Sequence, residues 1–140
     1  MPRAMGIDFG EKRIGMALSD PDGRVAVSLP TLERASDRTA VREIAEIARR
    51  EQVELLVVGE PRNLDGSRGQ AAERAAGFGR KLASATGLTV RMIDEALTSR
   101  EAEGQLRAAG VDPKKHPKRV DALSARILLQ EALDGLRGMP

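Results

Sequence analysis

Residues 4–20 read AMGIDFGEKRIGMALSD. Met5, Ile7 and Phe9 alternate with Gly6, Asp8 and Gly10, the period of a strand with one buried face. EKR (Glu11–Arg13) is a short polar break, and IGMALSD (Ile14–Asp20) resumes the apolar pattern. Two strands joined so closely pair as an antiparallel hairpin. Asp8 is the odd member, a carboxylate in mid-strand with glycines on either side of it. Glycine in a strand clears space for a ligand or for another backbone. An aspartate in a strand can also simply lie on a solvent face.

Outward from this hairpin, PDGR (Pro21–Arg24) is a turn, and VAVSLPTL (Val25–Leu32) is a third strand frayed by Pro30. The period then changes. In SDRTAVREIAEIARREQ, Val41, Ile44, Ala45, Ile47 and Ala48 recur at helical spacing, and Ser36 or Asp37 can cap the start. VELLVVG (Val53–Gly59) is a continuous apolar run, as expected of a strand buried on both faces. EPRNLDGSRG is a loop rich in turn residues, followed by a helix diluted by Gly77 and Gly79. LTVRMI (Leu88–Ile93) is a further strand, with Asp94 and Glu95 at its end. Thr98 and Glu101 have capping-box spacing before a short helix. VDPKKHPKR is a basic loop broken by prolines, and an amphipathic helix runs from about Val120 to Leu136. The order βββ-α-β-α-β-α-α predicts an α/β fold: a mixed five-stranded sheet, three strands in an antiparallel meander and two parallel, flanked by helices.

The 140 residues suit one domain spanning 1–140. With two Phe and no Trp or Tyr, the core is aliphatic, and stacking of bases on aromatic platforms is excluded. With no Cys, disulfides, thiolate metal sites and cysteine nucleophiles are excluded. The single His116 excludes a multi-histidine zinc centre. No apolar run has the length of a membrane span and no signal-peptide pattern opens the chain, so the expectation is a soluble cytoplasmic protein without a membrane partner. A net charge of +2 and a pI near 9.4 permit a nucleic-acid partner without requiring one.

Four acids fall at informative places: Asp8 inside the first strand, Glu60 after the buried strand, Glu95 after the last strand, and Asp121 opening the final helix. Ligands of open α/β sheets gather at strand ends and helix starts. Carboxylates suit Mg²⁺ or Mn²⁺, and two such ions about 4 Å apart can activate a water and stabilise the leaving oxygen of a phosphodiester. Each acid also has an ordinary reading: Glu95 as a strand-end carboxylate, Glu60 as a loop acid, Asp121 as a favourable charge at a helix start. Lys114, Lys115, Lys118 and Arg119 cluster just before Asp121, where a polyanion would need neutralising, although a charge run is commonly a solvated face. Lys12 and Arg13, in the hairpin turn, either contact phosphate or decorate the turn.

Four ordered blocks, GIDFGEKRIGMALSD, VVGEPRNLDGS, DEALTS and RVDALSARILLQEALD, resemble the YqgF (RuvX) family over nearly the whole chain. The family comprises Holliday junction resolvase-like proteins, also described as nucleases for the 5′ end of pre-16S rRNA. The resemblance implies an RNase H-like fold and a metal-binding trio of Asp8, Glu95 and Asp121, with Mg²⁺ or Mn²⁺ as cofactor. It implies a metal-dependent nuclease on structured RNA or on branched or single-stranded DNA; on that reading Lys12, Arg13 and the 114–119 cluster, placed near the acids in the sequence, would hold the nucleic-acid backbone. A junction resolvase should be a dimer, and a monomer would leave rRNA processing ahead. Two departures stand out. Ala96 replaces the family's basic or bulky residue after the acid, and Glu60 replaces an apolar residue, which makes Glu60 a second-rank candidate ligand. The rivals are a nucleotide phosphotransferase, since GIDFG also resembles the first phosphate loop of actin-like ATPases, and a non-catalytic nucleic-acid-binding module. No second glycine-rich phosphate loop supports the former.

Overall fold

The computed structural model describes residues 3–63, 65–94 and 98–137, without the side chain of Arg137. Its elements are β1 (Ala4–Phe9), β2 (Arg13–Ser19), β3 (Ala26–Glu33), α1 (Asp37–Arg50), β4 (Leu55–Glu60), α2 (Gln70–Thr86), β5 (Thr89–Asp94), α3 (Thr98–Ala108) and α4 (Pro117–Arg137), with a short 3₁₀ turn at Pro113–Lys115. The five strands form one sheet in the order β3-β2-β1-β4-β5. β1 pairs antiparallel with β2, and β2 with β3. β4 lies parallel to β1 on its other side, and β5 parallel to β4. This is the mixed sheet that the order of sequence patterns predicts.

The strand period of two sorts side chains into two cores. Met5, Ile7, Ile14, Met16, Leu18, Leu56 and Val58 face α1 and α2, meeting Val41, Ile44, Phe78 and Leu82. Ala4, Ala17, Leu55 and Val57 face α4, meeting Ala125, Leu128, Leu129 and Leu133. The second face is built of small residues, so α4 lies close on the sheet. A Cβ at Gly6 would stand 2.8 Å from Leu129 Cβ and 3.1 Å from the Ala125 carbonyl. One at Gly15 would run into the Asp121 carbonyl. Ser36 caps α1 by accepting from the Thr39 amide, and Asp37 instead pairs with Arg34 and Lys81.

Two sequence expectations need correction. α4 begins at Pro117, not Val120, and Pro113–Lys115 is a 3₁₀ turn capped by Asp112. Proline lacks an amide hydrogen that the first helical turn would leave unused, so it opens a helix without cost. The basic segment is therefore partly helical, and Asp121 lies in the second turn of α4, past the amides that favour an acid. Second, β3 does not fray at Pro30. Met16 pairs with Leu29 but Ile14 with Leu32, so β3 carries one extra residue opposite Gly15 and continues to Glu33. This β-bulge shifts the alternation of β3. Before it, Ser28 donates to the Ala122 carbonyl of α4 at 3.1 Å. After it, Thr31 donates to the Lys118 carbonyl at 2.7 Å, and Glu33 pairs with Lys118 at 2.8 Å. Leu29 and Leu32 both pack on the α1 side. The first turns of α4 are thus fixed to the edge strand.

Candidate nuclease site

Asp8 shares the α4 face of β1 with Ala4 and Gly6, and its cross-strand partner is Gly15. Gly15 is where the Asp121 backbone touches the sheet. Two residues from opposite ends of the chain therefore meet over one β1–β2 pair. Both line a cavity of about 300 Å³, whose wall also includes Phe9, Arg13, Pro61, Arg74 and Ser99. Phe9 ends β1 and Pro61 follows β4. The cavity thus opens at the carboxyl ends of two parallel strands, where α/β sheets hold their ligands.

The glycines around Asp8 serve backbone approach. Gly6 admits α4, and a Cβ at Gly10 would stand 2.5 Å from the Arg13 carbonyl inside the hairpin. Arg13, also on the α4 face, donates from Nε to Asp121 Oδ2 at 2.7 Å. In this structure it neutralises one of the two acids and does not stand free in a turn. Lys12 is exposed beside it.

Glu60 has different neighbours. Leu56 and Val58 face α1 and α2, while Leu55 and Val57 face α4. The alternation puts Gly59 on Asp8's face and Glu60 on the opposite one. Glu60 is only 7% exposed. Oε1 accepts from Arg68 Nε at 2.5 Å and Oε2 from Arg62 at 3.2 Å. Arg68 also pairs with Glu73 at 3.1 Å. A buried carboxylate with two guanidiniums anchors the loop that follows it.

Glu95, named by the family resemblance, and Ala96 beside it lie outside the described residues. No cluster of three or more potential metal-binding side chains occurs among the described residues. Asp8 and Asp121 are nonetheless hard oxygen donors on one cavity, and the Arg13 cation beside Asp121 marks a place that favours positive charge. This donor chemistry fits a divalent cation such as Mg²⁺ or Mn²⁺.

Among the basic residues, Lys118 is engaged with Glu33, whose carboxyl it holds below the ordinary range by its hydrogen bond and charge. Lys114 and Lys115 lie in the 3₁₀ turn, and Arg119 in the first turn of α4; all three are exposed. Sequence reasoning missed Arg74, which lines the cavity from α2 and pairs with Glu11 at 3.1 Å. A lone arginine on a helix carries no signal by spacing. It also missed Gly15, although its place in the strand pattern, on the face of Arg13 and Ala17, was a usable sign.

A five-stranded mixed sheet in the order β3-β2-β1-β4-β5, with an acid near the carboxyl end of its central strand, defines an RNase H-like α/β protein. Two solved structures share the fold. Thermus thermophilus RuvC in complex with Holliday junction substrate matches at TM-score 0.62 and 16% identity, covering 99% of this chain and 98% of that one. The fowlpox virus resolvase with Holliday junction DNA matches at TM-score 0.58 and 11% identity, covering 96% and 98%. The RuvX family model, described as "Holliday junction resolvase", matches residues 2–135, and the chain belongs to that family. A relative from Syntrophus aciditrophicus is 44% identical over 134 residues, covering 96% of this chain and 89% of its own. One from Anaeromyxobacter sp. strain K is 41% identical over 132 residues, covering 94% and 96%. Both carry the name "Putative pre-16S rRNA nuclease". No described helix is long and apolar enough to cross a membrane.

Proposed function

We propose that the protein is a divalent-metal-dependent nuclease that hydrolyses phosphodiester bonds of structured RNA, acting in the cytoplasm on the 5′ end of a 16S rRNA precursor. The observation that carries the reading is the meeting of Asp8 and Asp121 on one cavity at the carboxyl ends of β1 and β4. The names of relatives above 40% identity support the substrate. Asp8, Asp121 and Glu95 would hold Mg²⁺ or Mn²⁺. Ser99, four residues beyond Glu95, lines the same cavity, which supports the third assignment. A cation held there supplies Lewis acidity toward a phosphoryl oxygen and lowers the pKa of water. The carboxylates of Asp8 and Asp121 would hold that cation, and Gly15 with the β3 contacts fixes the Asp121 backbone against the sheet. Arg74 at the wall, with Lys12 next to Arg13 and Lys114, Lys115, Lys118 and Arg119 just before Asp121 in the chain, would hold the nucleic-acid backbone. Glu60 belongs to the loop anchor in this reading, not to the metal site.

The family description favours a second substrate, a four-way DNA junction. One experiment separates the two. Matched structured RNA, single-stranded DNA and four-way junctions are incubated with the protein in Mn²⁺, Mg²⁺ or EDTA, and the oligomeric state is measured on the same sample. RNA cleavage that needs metal and is lost in Asp8→Asn, Glu95→Gln and Asp121→Asn is expected. Symmetric junction cleavage by a dimer would transfer the reading to DNA. Metal-independent binding without cleavage of any substrate would reduce the protein to a binding module.

A further inference from the structure

Arg13 stands between the candidate metal and the candidate substrate. Its Nε holds Asp121 Oδ2 at 2.7 Å, and its side chain lines the cavity. Exposure of the two side chains is only 33% and 22%, so the pair is partly shielded from water. A charge-assisted hydrogen bond of this length takes one of the acceptor sites of Oδ2, and a cation approaching the carboxylate also meets a like charge beside it. Guanidinium and metal therefore compete for one carboxylate. Displaced, Arg13 would remain on the cavity wall. Of the neighbouring acids outside the proposed metal site, its cross-strand partner Glu33 already pairs with Lys118 and Glu11 with Arg74, while Asp8 would be a ligand of the cation. The anion best matched to a released guanidinium fork there is a phosphate diester.

We propose that Arg13 is a positioning residue that couples the two ligands. It holds Asp121 in the metal-free protein, yields that oxygen to a divalent cation, and then turns to a phosphate of the nucleic acid. The proposal rests on reading Asp8 and Asp121 as metal ligands. Coupling of this kind is reciprocal, so metal and nucleic acid each raise the other's affinity by the same factor.

The test uses Mn²⁺ alone, followed by the electron paramagnetic resonance of the free ion, with wild type, Arg13→Gln, Arg13→Lys, Asp8→Asn and Asp121→Asn. Arg13→Gln should bind Mn²⁺ about tenfold tighter than wild type, within the usual range of coupling between sites. Arg13→Lys, which keeps the charge, should fall between them. In EDTA, wild type and Arg13→Gln should bind a labelled RNA hairpin equally, because the guanidinium is engaged with Asp121. In saturating Mn²⁺, Arg13→Gln should raise KM and leave kcat nearly unchanged. Unchanged or weaker Mn²⁺ binding by Arg13→Gln, or loss of hairpin binding in EDTA, would overturn the exchange. Mn²⁺ binding unaffected by both Asp8→Asn and Asp121→Asn would overturn the metal reading itself, whatever Arg13 does.

Discussion

Gly15 has no chemistry of its own, yet it sets how near Asp121 can come to Asp8. A methyl group there collides with the Asp121 carbonyl, which is backbone and cannot rotate aside. Gly15→Ala should cost about 1–3 kcal/mol in urea unfolding, the range of an overpacked site, and should weaken Mn²⁺ binding. Gly6→Ala is the control. Its clash is with Leu129 and Ala125, one to two turns along α4, so it should cost stability with less loss of metal affinity. Asp8 was legible in the sequence because a charge inside an apolar alternation is rare. Its glycines were legible as space, and only the fold shows that helix α4 and the hairpin backbone fill it. Glu131 gives a test by pH. Partial covering of its carboxyl, then repulsion from Glu101 and Asp134, pushes it above the ordinary range. An acid raised by folding adds stability where it is protonated, fully so below its unfolded value of 4.5, and the contribution is lost as pH rises through the folded value. Glu131→Gln should therefore raise Tm near neutral pH and leave it unchanged well below 4.5. The side chain is exposed, so the gain is only a few tenths of a kcal/mol.

At the scale of elements, Glu60 ties two arginines of the loop after β4 back to the strand end. Glu60→Gln would leave Arg62 and Arg68 with a weaker partner. Because both arginines reach solvent, the expected cost is about 1–2 kcal/mol, below that of a fully buried pair. Limited trypsin digestion should cut faster after Arg62 and Arg68. Mn²⁺ affinity should not change, whereas a loss of tenfold or more would make Glu60 a ligand after all. The sequence could not separate these roles, since an acid at a strand end reads alike on either face. Alternation counted back to Leu55 resolves it once the two cores are known. The start of α4 was misplaced for a related reason. Prolines and lysines between Asp112 and Arg119 read as a breaker, but a proline at a first helical position is a start signal. The five strands themselves were legible because each carries a period of two or an unbroken apolar run.

Across the whole molecule, a net charge of +2 is too small to hold a polyanion by general attraction. Affinity should come from local contacts and fall with salt accordingly. Lys114→Ala and Lys115→Ala should each lower the slope of log affinity against log salt by about 0.7–0.9, read by fluorescence anisotropy of a labelled hairpin. A variant that leaves the slope unchanged removes that lysine from the interface.

The extra residue in β3 has a consequence for how the chain tolerates change. A strand is read in twos, like a frame, and the bulge at Pro30–Thr31 advances that frame by one. Beyond it Thr31 and Glu33 face α4 and Leu32 faces α1, the same faces that plain one-to-one pairing with Gly15, Arg13 and Ile14 would give them. Pro30→Ala should cost within about 1 kcal/mol, as an ordinary surface change does. Deletion of Pro30 should also be tolerated in thermal unfolding, because it removes the extra residue and leaves Thr31 opposite Gly15 and Leu32 opposite Ile14 in plain alternation. At this edge of the sheet the chain can lose one residue without any of its letters changing sides.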